Sequence, residues 1–368
     1  MMRKGLHHLS GQLQLRSAAY QSLPTCLRHF GVVQMQTKSE AFAVYSGLQT
    51  DSQKGDPTVS PRVLLTCEHA SNALPSGYGW SEAELEMDLP SSHWAFDPGA
   101  EDLSLSLSST LNIPLVHSTV CRLVTDVNRP IGSETMFRPD TDGHEVSFNK
   151  GIWGNEGEKE RRKRLSRFFY PFHDAVHQAV LREFTLFDYY PRHIDTSKLI
   201  ISLHSFNPVY EGEVRKMEVG ILYEHEEDRQ LAESLQLMCR KNLIRARINE
   251  PWSGKKGIMF SCGRAAMFGN RRVIEMEEAA KKGQPPPSLP TLPVLPHSGE
   301  VEKMFRHGVE GERLLHAVIA NESDRRRGVD GPIRSLMIEV RNDRLLDEAW
   351  RYSFVTLMAE FLKTQAFV

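Results

Sequence analysis

Val63-Leu64-Leu65-Thr66-Cys67-Glu68-His69-Ala70-Ser71-Asn72-Ala73-Leu74-Pro75 is the stretch from which the rest of the chain is read. A short apolar run rich in β-formers stops at a polar cluster, the pattern of a buried parallel strand that delivers side chains to the carboxyl edge of a sheet. Ligand sites concentrate at that edge. His69 lies two residues past the last strand-like position, where a rigid element can present a neutral imidazole. Adjacent strand positions point to opposite faces, so Glu68 is expected to turn away from His69.

Two later stretches repeat the design: Leu199-Ile200-Ile201-Ser202-Leu203-His204-Ser205-Phe206 and Ser335-Leu336-Met337-Ile338-Glu339-Val340-Arg341-Asn342. One apolar run ends on histidine and the other is interrupted by glutamate. Three strands thus converge on His69, His204 and Glu339. Two histidines, a carboxylate ligand and an unligated glutamate are the parts of a hydrolytic zinc site, in which the metal keeps a position open for water.

Composition bounds the alternatives. The chain has 368 residues, 40% of them hydrophobic and 25% charged, enough to bury a substantial core in one large or two modest domains. A formal net charge of −2 provides no basic field for nucleic acid. No apolar run approaches the roughly 18 residues that suggest a membrane span. A small-molecule partner is the class these features favour. Cys26, Cys67, Cys121, Cys239 and Cys262 are odd in number and lack C-x-x-C spacing, which argues against a disulfide framework or a zinc knuckle. Cys67 beside His69 offers a thiol nucleophile as an alternative, but no base is evident, and a buried structural thiol is the plain expectation.

From Met1 to Ser39 there is no acidic residue, while Arg3, Lys4, Arg16, Arg28 and Lys38 are scattered among Ser, Gln and Leu. That is the composition of a mitochondrial presequence or other transit peptide, with a disordered extension as the alternative. Residues 1–58, including the linker-like Thr50 to Pro57, are set apart from a catalytic domain of residues 59–368. The proline-rich stretch Lys281 to Ser298 reads as a surface insertion in that domain.

Asp97-Pro98 precedes Leu103, Leu107 and Leu111, so the spacing predicts a helix with Asp97 as N-cap. Capping accounts for one acid there but leaves Asp97, Glu101 and Asp102 over-provided, and Asp97 and Glu101 are spaced to face one ligand. Arg122 to Pro130 alternates polar and apolar residues before a proline stop, and its Asn128-Arg129 pair suits a substrate carboxylate, with an exposed salt bridge as the alternative. A helix from Glu158 to Phe187 carries His173 and His177 on one face, a rival metal pair resembling H-E-x-x-H with a shorter Asp174 in place of Glu. The preferred reading is that a helix histidine, His173, reaches into the pocket. Asn249-Glu250-Pro251-Trp252-Ser253-Gly254 is a polar turn whose Asn249 and Ser253 could touch a ligand. Strand and helix alternate throughout, which argues an α/β three-layer sandwich around a largely parallel mixed sheet.

With these motifs assembled, the region from about Arg62 to Phe361 resembles the N-formylglutamate amidohydrolase family. The resemblance is carried by Cys67-Glu68-His69-Ala70-Ser71-Asn72, Asp97-Pro98-Gly99-Ala100, Arg122-Leu123 with Asp126-Val127-Asn128-Arg129-Pro130, Leu203-His204-Ser205-Phe206, Asn249-Glu250-Pro251 with Ser253-Gly254, and Ile338-Glu339-Val340-Arg341. The family is similar to zinc-dependent exopeptidases. The resemblance implies a zinc-exopeptidase-like fold, His69 and His204 as zinc ligands, Asn128 and Arg129 as carboxylate binders and Glu339 as general base. The His-x-x-Glu of the carboxypeptidases would require glutamate at position 72, where this chain has Asn72. Asp97, Glu101 or Glu68 must therefore supply the carboxylate ligand, and Asp97 is the choice that matches the family's bacterial deformylases. The implied reaction is hydrolysis of N-formyl-L-glutamate to formate and glutamate, with Arg215 as candidate for the second substrate carboxylate. A zinc amidase acting on another N-acyl amino acid, peptide or cell-wall fragment would use the same metal residues, and a non-catalytic binding protein is the third reading.

Overall fold

Runs of Val, Ile and Leu that cannot stay in water form the centre of the molecule, and the computed structural model describes residues 33–47, 63–185, 198–254, 258–282 and 333–366. In chain order the strands are β1 (Val33–Lys38), β2 (Phe42–Gly47), β3 (Val63–Cys67), β4 (Leu115–Ser118), the short ladder β5 (Asp140–Thr141) with β6 (His144–Glu145), β7 (Lys198–Phe206), the hairpin β8 (Val209–Tyr210) with β9 (Glu213–Val214), β10 (Val219–Leu222), β11 (Ala246–Ile248) and β12 (Ile333–Arg341). Eight of them build one mixed, mostly parallel sheet in the order β1-β2-β4-β3-β7-β12-β10-β11. Its centre, β4-β3-β7-β12, is parallel throughout, and β10 returns antiparallel against β12. This is the α/β architecture expected from the alternation of elements.

Helices α1 (Glu82–Glu86), α2 (Ala100–Leu111), α3 (Glu158–Arg164), α4 (Tyr170–Val180), α5 (Arg229–Lys241), α6 (Phe260–Lys281), α7 (Asn342–Leu346) and α8 (Glu348–Ala366) surround the sheet. Because strand side chains alternate, each central strand feeds two cores. On one face Leu65, Leu203 and Ile338 meet Leu103 and Leu107 of α2, Leu235 of α5 and Phe354 of α8. On the other Leu64, Ile200 and Met337 meet Phe172 and Val176 of α4 and Cys262 and Ala265 of α6. Leu103 and Leu107 are fully buried, and truncating either to alanine should cost roughly 2–5 kcal/mol.

Two boundaries differ from the sequence expectation. Residues 33–47 belong to the fold: β1 and β2 form a hairpin that extends the sheet through β4, with Ala41, Ala43 and Val44 buried. The division at residue 58 therefore falls too late, and a presequence would have to lie ahead of the hairpin, in residues 1–32, outside the described residues. The proline-rich stretch from residue 283 onward also lies outside them, while Lys281 closes α6. The second difference concerns α2, which begins at Ala100 with Gly99 as N-cap, not at Asp97. Gly99 has φ +80°, and a Cβ there would lie 2.6 Å from Leu345 Cβ, so the tight entry needs glycine. The Asp97 carboxylate is thereby released from capping and points elsewhere.

Candidate active site

On one face of the carboxyl edge, four adjacent strands place their side chains in a row. Glu339 of β12 is the register partner of His204 of β7 on one side and of Gly220 of β10 on the other. Thr66 of β3 pairs with Ser202, so Glu68, two residues on, falls beside His204. A Cβ at Gly220 would lie 2.2 Å from the Glu250 carbonyl oxygen and 3.3 Å from Glu339 Cβ, so any other residue there would collide with the Glu250 backbone and crowd the glutamate. His69, past the end of β3, closes on the row from the neighbouring loop, its ring centroid 4.7 Å from that of His204.

His69, Asp97 and His204 bring one ligand-capable atom each within 4.8 Å of one another, and all three are buried. His204 Nδ1 lies 2.8 Å from Asp97 Oδ2, and His69 Nδ1 lies 3.4 Å from the same oxygen. The opposite nitrogens are taken by carboxylates: His69 Nε2 is 2.7 Å from Asp126 Oδ1, and His204 Nε2 is 3.0 Å from Glu68 Oε2. Ser202 Oγ donates to that same Glu68 oxygen at 2.7 Å. Each imidazole is thus oriented by a carboxylate so that its Nδ1 faces Asp97, the arrangement that outer partners impose on metal-binding histidines. Arg122 ties the support together, donating to Asp97 Oδ1 at 3.2 Å and to Asp126 Oδ2 at 2.9 Å.

Two observations test whether this cluster suits a cation. His69 Nδ1 is buried without a hydrogen-bond partner, an orphan of the kind that buried polar atoms rarely remain. Glu68, Asp97 and Asp126 are buried carboxylates in contact with the two imidazoles, and Arg122 is the guanidinium that donates to two of them, leaving a formal excess of two negative charges among these four groups. Two imidazoles and one carboxylate are zinc's ordinary donors, and a divalent ion balances the excess. In the protein alone, protonated His204 carries part of that balance. Burial opposes its charge, but the hydrogen bonds it donates to Asp97 and Glu68 hold its pKa up at about 10. Burial likewise raises Glu68, yet its contacts with His204 prevail and bring it down to about 2. Glu339 behaves oppositely: burial, aided by the Asp97 charge, pushes it up to about 8 against the pull of His204, Arg122 and Arg129.

The structure brings together His69, Asp97, His204 and Glu339 as the sequence predicted, with Arg129 near enough to feel the charges of Asp126 and Glu339. Arg215 also feels Glu339, and its guanidinium rests over the rings of Phe206, Tyr210 and Trp252. Glu101, the alternative carboxylate, faces His117 at 3.6 Å and is not in the cluster. Asn128 does not offer its amide to a ligand, because Nδ2 donates to the Ile258 carbonyl and Oδ1 accepts from the Ser261 N–H, clamping the loop to the start of α6. His173 is buried, bonds the Val127 carbonyl at 2.9 Å and packs on Phe169, so it positions the same loop. His177 stacks on Phe268, and no carboxylate joins the helix pair in a metal-competent group among the described residues. Asn249 Oδ1 accepts from the Tyr223 and Gly254 N–H groups, which makes it a turn organiser, and Ser253 is half-buried in that turn. Burial raises the Cys67 thiol well above its ordinary range, leaving it a protonated core residue.

Sequence reasoning gave no role in the site to Asp126, Arg122 or Arg138, and weighed Glu68 only as an alternative metal carboxylate. Arg138 lies over Trp94 and feels Arg122, Asp126 and Arg129, adding a further cation to this region. A signal for Asp126 existed: a carboxylate inside the apolar run Leu123-Val124-Thr125-Asp126-Val127 must be buried, and a buried charge needs a partner.

This fold and site define an α/β protein with a metal-competent histidine and carboxylate centre set beside a buried, free glutamate. Residues 61–277, more than half of the chain, match the N-formylglutamate amidohydrolase family. The chain belongs to that family of amidohydrolases. Glu339 lies beyond the matched span, and its placement rests on the geometry. A gene product of Agrobacterium tumefaciens of known crystal structure shares 24% identity over 90% of this chain and 98% of its own, with a TM-score of 0.56, a likeness of fold. The N-formylglutamate amidohydrolase from Ralstonia eutropha JMP134 shares 13% identity over 89% of this chain and 99% of its own, with a TM-score of 0.47. No curated protein matches the chain in a sequence comparison.

Proposed function

We propose that the chain is a zinc-dependent amidohydrolase that cleaves the amide bond of an N-acyl amino acid, with N-formyl-L-glutamate as the substrate that best fits the charge pattern. The observation that carries this reading is the buried His69-Asp97-His204 group with the Glu339 carboxyl beside it. Zinc held by those three residues would supply polarisation of the scissile carbonyl and activation of water.

The remaining work falls to the chain. Asp126 and Glu68 each take the N–H of one imidazole and fix which nitrogen faces inward. Arg122 keeps Asp97 and Asp126 ionised and in place. Glu339 accepts a proton from the attacking water at its carboxylate and returns it to the leaving nitrogen, so that formate and the free amino acid depart with water's atoms divided between them. Burial favours that exchange, because it raises the carboxyl's pKa toward the working pH of a general base. Arg129 and Arg215 would neutralise two substrate carboxylates, a role supported by their electrostatic coupling to Glu339.

The test is hydrolysis by zinc-loaded protein of N-formyl-L-glutamate, N-acetyl-L-glutamate and an N-formyl amino acid without a side-chain carboxylate. N-formyl-L-glutamate should have the highest kcat/KM, and loss of the side-chain carboxylate should cost at least about tenfold. Preference for the acetyl compound would shift the function to a neighbouring N-acyl hydrolase. Failure to hydrolyse any of the three, with zinc bound, would overturn this reading.

A further inference from the structure

His93 lies in the turn that leads toward α2, ahead of Asp97 in the chain. Its ring is fixed by the carboxyl edge of the sheet. Asn207, the first residue past β7, donates from Nδ2 to His93 Nδ1 at 2.8 Å, and the Trp94 ring lies 4.7 Å from the imidazole between centroids. Asn207 is held in turn: its Oδ1 accepts from Asn342 Nδ2 at 2.7 Å, and its carbonyl accepts from Arg215 Nη1 at 3.2 Å. Phe206 pairs with Arg341, so Asn207 and Asn342 are the next residues along the two strands that carry His204 and Glu339. One asparagine thereby sets His93 and Arg215 relative to each other, its amide gripping the imidazole and its carbonyl the guanidinium.

Because an amide N–H occupies Nδ1, the proton of the neutral ring sits on Nε2. His93 is partly exposed, and its Nε2 is neither sealed in the interior nor met by an acceptor among the described residues. Holding the turn needs only Nδ1 and packing on Trp94 needs only the ring face, so neither uses this donor. The ring lies within electrostatic reach of Asp97 and Arg122 as well as Arg215, which places it between the metal-competent cluster and the candidate carboxylate binder. Burial lowers its pKa, outweighing the Asp142 charge, and both guanidiniums add to the lowering. A neutral N–H can stand beside two cations without repelling them, and together they offer a ligand nothing but donors, the setting for a carboxylate.

We propose that His93 is a specificity-determining residue, its Nε2–H donating to the side-chain carboxylate of a dicarboxylic amino acid, the same carboxylate whose charge Arg215 neutralises. The choice of an amino-acid substrate rests on the amidohydrolase reading. The contact itself is one of binding and is measurable without turnover.

Calorimetric titration of zinc-loaded full-length protein with L-glutamate and with L-norvaline, in which a methyl group replaces the side-chain carboxylate, tests the proposal beside kcat/KM for their N-formyl derivatives. Wild type should bind L-glutamate the more tightly. His93→Phe keeps a ring against Trp94 and removes the N–H; it should weaken L-glutamate about ten- to hundredfold, the worth of a hydrogen bond to a charged group, and leave L-norvaline within about twofold. His93→Gln, whose amide supplies a donor, should recover part of the loss, and zinc content and thermal melt should match wild type in both variants. If the phenylalanine variant folds poorly, His93→Ala makes the same comparison. The proposal is overturned by wild type showing no saturable L-glutamate binding or no preference for it, by a donor-free variant that keeps the glutamate-over-norvaline ratio, by equal weakening of both ligands, or by no recovery in His93→Gln. A His93-dependent preference for L-glutamate in a protein that hydrolyses neither N-formyl compound would sustain this contact and overturn the hydrolytic reading alone.

Discussion

Glu339→Gln separates chemistry from architecture more sharply than any other single change in this site. The substitution keeps the side chain's shape and its place opposite Gly220 in the sheet. It removes only the ability to accept and return a proton. Positioned acid–base catalysis contributes about 10²–10⁴ in rate, so the turnover number should fall by that factor, about 3–5 kcal/mol on the barrier. Zinc content should stay at the wild-type level, because the metal-competent atoms belong to His69, Asp97 and His204.

Stability supplies a second and opposite readout. Burial pushes the Glu339 carboxyl up to about 8 from an ordinary value of 4.5, so in the metal-free fold its charged form is the disfavoured one. A raised acid contributes most below its unfolded pKa, and that contribution is lost as pH rises through the folded pKa. The full cost is at most about 5 kcal/mol, reached above pH 8. Glutamine has no charge to bury. Metal-free Glu339→Gln should therefore melt at a higher temperature than metal-free wild type above pH 8, and the two curves should converge in mild acid. Metal analysis, steady-state kinetics and melts at two pH values make up the assay. A zinc-loaded, folded variant with undiminished turnover refutes the assigned role, and a variant that melts lower by the same margin at both pH values shows a structural salt bridge instead.

Other consequences are open to measurement. His69→Ala and His204→Ala should each abolish stoichiometric zinc in metal analysis of purified protein, whereas His173→Ala, which removes a bond to the Val127 carbonyl, should keep it. Arg129→Ala and Arg215→Ala should raise KM for N-formyl-L-glutamate more than they lower kcat, provided each cation holds ground and transition states alike; a pure kcat loss would place them in transition-state stabilisation. Burial, against the pull of Arg334, raises Asp228 from 3.8 to about 7, so its contribution to stability is lost as pH climbs through that interval, by at most about 4 kcal/mol; Asp228→Asn should flatten the dependence of the urea midpoint on pH there, and an unchanged slope would refute the assignment. A fluorescent reporter carrying residues 1–32 should enter an organelle, most plainly the mitochondrion, while diffuse cytosolic signal would leave the segment without a targeting role.

His69, His204 and Glu339 were legible because strand periodicity is local. An apolar run that ends at a polar residue determines both the strand and the edge at which that residue emerges. The same rule turned Glu68 away from His69, but β3 ends at Cys67, and in the turn that follows both residues converge on His204. What the rule lacked was the partner strand: the pairing of Thr66 with Ser202 brings Glu68 beside His204, so the residue set aside became that histidine's orienting carboxylate. Asp97 was selected through the family resemblance, while its local pattern suggested a cap. Capping failed because the chain enters α2 through Gly99 in a left-handed conformation, a requirement set by the distant Leu345. The Asn128-Arg129 pair shows the reverse error. Alternation from Arg122 to Pro130 suggested a strand end, but the segment is a run of turns, and the Asn128 amide was claimed by the Ile258 carbonyl just ahead of α6, 130 residues further along.

The β1–β2 hairpin was hidden by averaging. A window from Met1 to Ser39 is dominated by scattered basic residues, while the strand signal in Phe42-Ala43-Val44-Tyr45 is only four residues long and gains its stability from β4. Composition describes how a segment behaves alone, and an edge hairpin exists only in company with the sheet it extends. The same dependence governs Lys38: as one of five basic residues in a presequence it would carry nothing but charge, whereas at the end of β1 it is part of the sheet. The functional content of a side chain therefore lies in the groups that long-range pairing brings to it, and residue type alone specifies only what it could do there.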